Sequence, residues 1–384
     1  SAPGRCRCFH WRETIWCRAS SAFLIPLRAW RVLAFMVMES RPACDDNEDT
    51  EATTSDDEKH DWVPYPPGHR KRAGFLRNYL TCVSQRELFS QTVWSPSVAF
   101  ALRSHAFGDG TRRAETLQYD ITKHPILKDF VDVLGETETL SSLHLRWPGF
   151  DDRKQTRVED KRLLLQPLTH DSHARNTFQE TYDTLVREVV IPAVVKAQQY
   201  AVDATALPIK QVYYASFPCV RVQQPSDFHT IRVHCDSMYG HGPCSVNCWL
   251  PLTELEQSGV NSLFVESFPG AKDFTPILCE VGELTLFDGA RCAHFTVANT
   301  SDKTRVSLDF RVVLEPLFTY ESHKDLGISD QSDESRQYHV GGYFSSAELC
   351  EESKKWKQVT QGAPCVKHGF PHENKEVVEQ DGVD

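Results

Sequence analysis

One change of rhythm restricts this chain more than any other feature. From about Thr205 onward, apolar residues recur at every second position in short runs: FPCVRVQ, TIRVHCD, VNCWLPL, NSLFVES, TPILCEV, ELTLF, AHFTV and TRVSLDFRVV. Between them stand turn-forming breaks such as QPSD, YGHGP, EQSGV, FPGAKD, DGAR and NTSDK. Alternation of period two puts successive side chains on opposite faces of a strand, so each run offers one face to a core. Short runs at this spacing are the pattern of a jelly roll or a similar all-β sandwich.

The preceding part, from about Trp62 to Thr205, reads as mixed with helices dominant. Ile126, Phe130, Val131 and Leu134 share one helical face, and Gly135 offers a stop. From Asn176 to Ala201, Phe178, Tyr182, Leu185, Val189 and Val190 fall at helical spacing, and Pro192 is expected to kink or divide that helix. The expected fold class is therefore α+β: a double-stranded β-helix (jelly-roll) core with a mainly helical N-terminal portion packed against it.

The ends differ from the middle. Residues 1–38 hold six arginines and the single acid Glu13. They read either as an organellar transit peptide or as sequence upstream of a start at Met36 or Met38. Residues 39–61 form an acidic segment; within it Asp45 to Lys59 carries eight acids and one lysine, too little apolar surface to offset the entropy of ordering. The division expected is thus 1–38, 39–61, a support region over 62–205, a core over 206–317 and a C-terminal extension over 318–384. Within that extension YHVGGYFSSAEL is an aromatic cluster able to pack back on the core.

A net charge of −11 opposes a nucleic-acid-binding surface, which needs a basic face. The apolar leader run is broken by Arg28 and Arg31, so no membrane span is expected. Thirteen cysteines without a CxxC pair read as buried thiols in a reducing, cytoplasmic setting. A zinc site drawn from Cys244 and Cys248 with Cys235 or His241 is an alternative, although close ligand pairs are missing.

The chemistry concentrates in IRVHCDSMYGH, Ile231 to His241. On an extended strand His234 and Asp236 share a face, an imidazole and a carboxylate ready for one metal. His294, in AHFTV, is the best third ligand. Two histidines and a carboxylate with other positions open make the facial set of non-haem iron(II) oxygenases. Eleven residues on, Arg305 and Ser307 lie on one face of the last strand, with Val306, Leu308, Phe310 and Val312 on the packing face. A guanidinium fork and a hydroxyl suit the distal carboxylate of 2-oxoglutarate. Arg311 falls on the same face as Arg305, either as part of an ion pair with Asp309 or as the anchor itself. Asn247 and Gln223 are polar groups on apolar strands, available to the cosubstrate or to a metal ligand. Tyr239 and His241 either line the pocket mouth or cap a turn.

In this order, His234-x-Asp236, His294 and Arg305-x-Ser307 resemble the Fe(II)/2-oxoglutarate-dependent dioxygenases. The phrases HCDSMYGH, NCWLPLT, NSLFVESFPG and TRVSLDFRV resemble more specifically the branch of streptomycin-biosynthesis oxygenase-like proteins. The resemblance runs from about Gln211 to Val313, more weakly over Asn176–Ala201. It implies Fe(II), 2-oxoglutarate and O2 as cofactors and cosubstrates, succinate and CO2 as products, and oxidation of a small-molecule substrate. A protein side chain as substrate, and a non-catalytic metal-binding jelly roll, are the competing readings. Oligomeric state is not legible.

Overall fold

The computed structural model describes residues 61–66, 68–69, 71–92, 114–136, 139–147, 163–199, 209–227, 229–239, 241, 245–315 and 340–362. The leader at 1–38, nearly all of the acidic segment and the tail beyond 362 lie outside the described residues.

Helices come first. α1 (Arg72–Thr92) is followed by β1 (Ala114–Gln118), α2 (Ile126–Leu134), the short α3 (Leu143–Arg146), α4 (His173–Leu185) and α5 (Ile191–Gln199). Gly135 closes α2 in the left-handed conformation at φ 64°, where its missing Cβ removes the strain. The buried face of α2 carries Ile126, Phe130 and Val133, together with Asp129, which accepts from Thr181 Oγ1 at 2.6 Å. Val131 and Leu134 are only partly buried. Pro192 does not break the long helix. The chain widens into a π turn at Val186–Val190 just before it and resumes as α5, so the helix absorbs the missing proline N–H locally.

The strands then follow: β2 (Gln211–Ala215), β3 (Cys219–Gln223), β4 (Val246–Pro251), β5 (Phe264–Val265), β6 (Thr275–Pro276), β7 (Glu283–Phe287), β8 (His294–Phe295), β9 (Arg305–Leu314), β10 (Phe344–Cys350) and β11 (Lys355–Thr360). The large antiparallel sheet has the order β1-β7-β4-β9-β2-β10-β11, with β3 also paired to β9. A small antiparallel sheet runs β6-β5-β8. β9 is the spine: it pairs β3 over its first half, β2 near its end and β4 along its middle. The aromatic cluster near residue 343 does return to the core, since β10 pairs β2. β1 joins the sheet through β7 from within the region expected to be mainly helical.

Alternation along β9 divides its side chains as expected. Val306, Leu308, Phe310 and Val312 are buried in the main core with Phe178, Tyr182 and Leu185 of α4. The Tyr182 ring meets Phe310 edge-on at 5.2 Å, and its hydroxyl donates to the Ala215 carbonyl at 2.7 Å. Arg305, Ser307, Asp309 and Arg311 face the other way. There the two sheets meet through Trp249 and Phe287 of the large one and Leu263, Val265 and Ile277 around the small one. A third cluster sets Phe75, Tyr79 and Cys82 of α1 against Val233, Cys235 and Phe295.

One expected strand is absent. TIRVHCD forms no strand: His234 makes a single antiparallel bridge to His294, and at Asp236 the chain enters a 3-10 turn, Asp236–Tyr239. The cause is where the backbone finds partners. Asp236 N donates to Gly289 O at 2.9 Å and Met238 N to Cys235 O at 2.9 Å, so the turn after β7 replaces a neighbouring strand. NSLFVES, TPILCEV and AHFTV shrink to two-residue strands. Among the described residues no helix is long and apolar enough to cross a membrane.

Candidate metal centre and anion clamp

The bridge between His234 and His294 brings two imidazoles side by side, with ring centroids 4.2 Å apart. His234 Nδ1 lies 2.7 Å from the Arg232 carbonyl and His294 Nδ1 3.0 Å from the Cys292 carbonyl. A carbonyl only accepts, so each Nδ1 carries the proton and each Nε2 presents its lone pair. Both Nε2 atoms face Asp236 Oδ1, at 3.6 Å from His234 and 3.5 Å from His294. One ligand atom from each residue lies within 4.8 Å of the others, and all three residues are buried. Their common facing arises from a bridge followed by a turn, not from the continuous strand expected.

Asp236 is held from behind. Its Oδ2 accepts from Asn247 Nδ2 at 2.5 Å, Arg311 Nε at 3.0 Å and Arg311 Nη2 at 2.6 Å. The register pairs Asn247 with Arg311 across β4 and β9, so both donors arrive from one point of the sheet. Burial alone drives a carboxyl pKa up, but the Arg311 charge, with the two histidines beside it, holds Asp236 well below its ordinary value. Burial and the neighbouring imidazole lower His234, with Asp236 opposing. For His294 burial is outweighed by the Asp236 carboxylate beside it, and its pKa is raised.

At the start of β9, Arg305 is 1% exposed. Its Nη1 donates to Ser307 Oγ at 2.8 Å, its Nη2 to Gln223 Oε1 at 2.9 Å and its Nε to the Asn261 carbonyl at 3.2 Å. Gln223 stands opposite Arg305 in the β3–β9 register. Gln223 Nε2 donates onward to Val297 O at 2.8 Å, which fixes the acceptor oxygen toward the guanidinium. Among the described residues no carboxylate lies at ion-pair distance from Arg305. Burial, then repulsion from Arg221, pushes its pKa down to about 9, with Asp309 opposing. Asp309 itself pairs with Arg221, at 2.6 Å from Nε, rather than with Arg311.

The other candidates fall in three places. Arg311 sits on Asp236 and donates its Nη1 to the Tyr343 hydroxyl at 2.9 Å. His241 is buried, with its ring 5.6 Å from that of Tyr343 and its backbone N–H donating to Asp236 O at 3.3 Å. Tyr239 ends the 3-10 turn, and its side chain lies outside the described residues. The thiol cluster does not form among the described residues. Cys235 Sγ meets Ser237 Oγ at 3.0 Å, Cys248 Sγ faces the Val246 carbonyl, and Cys244 is outside them. The seven described cysteines are unbridged, and six are buried.

Two supports, Tyr343 and Thr296, escaped sequence reading, and a third, Glu266, stood out there only as an acid able to cap a turn. Tyr343 orients Arg311 from just before β10. Thr296 Oγ1 accepts from Thr230 N and Ile231 N at 3.1 and 2.9 Å and so braces the approach to His234. Glu266, fully buried, accepts from Ala293 N at 2.9 Å and from the Tyr79 hydroxyl at 2.6 Å, which ties α1 to the backbone beside His294.

The chain is 31% identical over 213 residues to the streptomycin biosynthesis protein StrG of Streptomyces griseus, covering 56% of this chain and 90% of StrG. It belongs to the StrG family. The branch resemblance carried by HCDSMYGH and TRVSLDFRV is thereby met over most of a StrG-length chain. No protein-family model matches it. Solved structures similar to this StrG-family chain include the non-heme monooxygenase ThoJ as its nickel complex, at 12% identity over 55% of this chain and 77% of that one, TM-score 0.33. Another is the epimerase SnoN in complex with Fe3+, alpha ketoglutarate and nogalamycin RO, at 12% identity over 56% and 84%, TM-score 0.34. A likeness of that size is too slight to assign a fold.

Proposed function

We propose that this StrG-family chain is a non-haem Fe(II)- and 2-oxoglutarate-dependent oxygenase with a double-stranded β-helix core, and that it oxidises a small molecule. The observation that carries the reading is Arg305: a buried guanidinium with no carboxylate partner among the described residues, on the same strand face as the arginine that holds Asp236. An isolated buried charge is costly unless a counter-ion arrives. Three of the five guanidinium N–H donors are engaged, leaving two for a planar carboxylate. The metal reading rests on the donor set: two imidazole nitrogens and a carboxylate oxygen, without thiolate, suit iron(II) better than structural zinc. The streptomycin-biosynthesis name of the relative supports a small-molecule substrate over a protein side chain.

Bound iron would supply O2 activation coupled to decarboxylation of the oxo acid. The chain supplies the rest. His234, Asp236 and His294 would hold the metal through Nε2, Oδ1 and Nε2. Arg305, steadied by Gln223 and Ser307, would bind and orient the distal carboxylate. The buried Trp249, Phe287 and Val265 side would keep water away from it. The deciding experiment reconstitutes the protein anaerobically and identifies the bound metal, then follows succinate release with 2-oxoglutarate, O2 and a metabolite library. Zinc held in preference to iron, or iron held without any 2-oxoglutarate binding, would defeat the proposal.

A further inference from the structure

The two oxygens of Asp236 have separate partners, and the separation is built. Among the described residues Oδ1 meets only the two histidine Nε2 atoms, while Oδ2 takes three donors at 2.5–3.0 Å. Each donor is itself anchored. Arg311 is 7% exposed and tethered to Tyr343. Asn247 is 3% exposed and backed by Gly289, where a Cβ would lie 2.5 Å from its Nδ2. A carboxylate left to itself takes a metal through one oxygen or both. An oxygen already surrounded by three donors has no lone pair to give.

We propose that Arg311, with Asn247, is a positioning residue that restricts Asp236 to one-oxygen ligation of the metal. This inference rests on the iron site proposed above. Its consequence is chemical: a two-oxygen carboxylate would occupy a position that the facial set otherwise leaves to exogenous ligands, and a chelating oxo acid needs those positions. Arg311 therefore serves the cosubstrate without touching it, whereas Arg305 serves it by contact.

The test uses Co(II) as a visible probe in the full chain. Parent, Arg311→Lys and Arg305→Lys proteins are titrated with Co(II) and then with either 2-oxoglutarate or oxalate, following the ligand-field bands. Oxalate chelates the metal but has no distal carboxylate to reach Arg305. Lysine keeps the charge at position 311 but cannot place two donors on one oxygen. Arg311→Lys is expected to bind Co(II) about tenfold more weakly, the usual scale for a partner of a metal ligand. Its Co(II) bands should differ from those of the parent, and oxalate and 2-oxoglutarate should lose affinity together. Arg305→Lys should lose 2-oxoglutarate affinity alone. Parent-like bands and oxalate affinity in Arg311→Lys overturn the inference while leaving the iron site standing. A parent protein that binds no Co(II) overturns both. If Arg311→Lys does not fold, Asn247→Ala removes one donor from the same oxygen at constant charge. A smaller shift of the Co(II) bands then supports the inference, and unshifted bands overturn it.

Discussion

Arg305 and Arg311 lie on one face of β9, both buried, and they could hardly be more differently placed. Arg311 is met by the Asp236 carboxylate and a tyrosine hydroxyl. Arg305 is met by an amide, a hydroxyl and a backbone carbonyl, all neutral acceptors. Among the described residues the chain supplies the counter-ion of one arginine, and under the proposed function that of the other is a ligand. Burial of a charge therefore does not tell function from structure; the identity of its partner does.

The sharpest way to break this contrast is Asp236→Ala. It should abolish metal binding and succinate release. It also strands the Arg311 charge, so urea unfolding should show a loss of about 3–5 kcal/mol. Adding Arg311→Met should recover much of that stability and none of the activity. An Asp236→Ala protein as stable as the parent would show that the pair at 311 is not what it looks to be.

Replacing each arginine by methionine tests the two ends directly. Without ligand, Arg305→Met should destabilise less than Arg311→Met, because it removes an uncompensated charge rather than half of a pair. 2-Oxoglutarate should raise the Tm of the parent far more than that of either variant, and oxalate should separate the two, stabilising Arg305→Met as it does the parent and Arg311→Met less. Arg305→Lys should weaken 2-oxoglutarate by one to two decades, the worth of about 1.5–3 kcal/mol for a charge-assisted hydrogen bond.

A finer probe is Gly289→Ala. The added Cβ must displace both Asn247 and the Phe287 ring, at 2.5 and 2.8 Å, for about 1–3 kcal/mol of stability by thermal unfolding. It should loosen the Asp236 end and leave the Arg305 end intact. Smallest of all, Ser307→Ala removes one neutral acceptor from Arg305, and calorimetry should find 2-oxoglutarate binding weakened by about 0.5–1.5 kcal/mol. A larger loss there than in Arg305→Lys would mean that the hydroxyl, not the guanidinium, holds the ligand.

By itself the sequence determined which face of β9 each of its residues takes. Period-two alternation separates 305, 307, 309 and 311 from 306, 308, 310 and 312 because strand geometry leaves no other choice. It also marked the helix stop at Gly135 and the set His234, Asp236 and His294, because few residue types ligate a metal. Partner choice was not written there. Whether Asp309 or Asp236 pairs with Arg311 depends on cross-strand register and on a turn set by the Gly289 carbonyl, both long-range contacts with no local signature. The same holds for Tyr343 and Glu266, whose roles come from residues 32 and 27 positions away. The reach of a buried side chain is decided by packing across the sheet, and only the tertiary structure fixes which neighbours that packing brings.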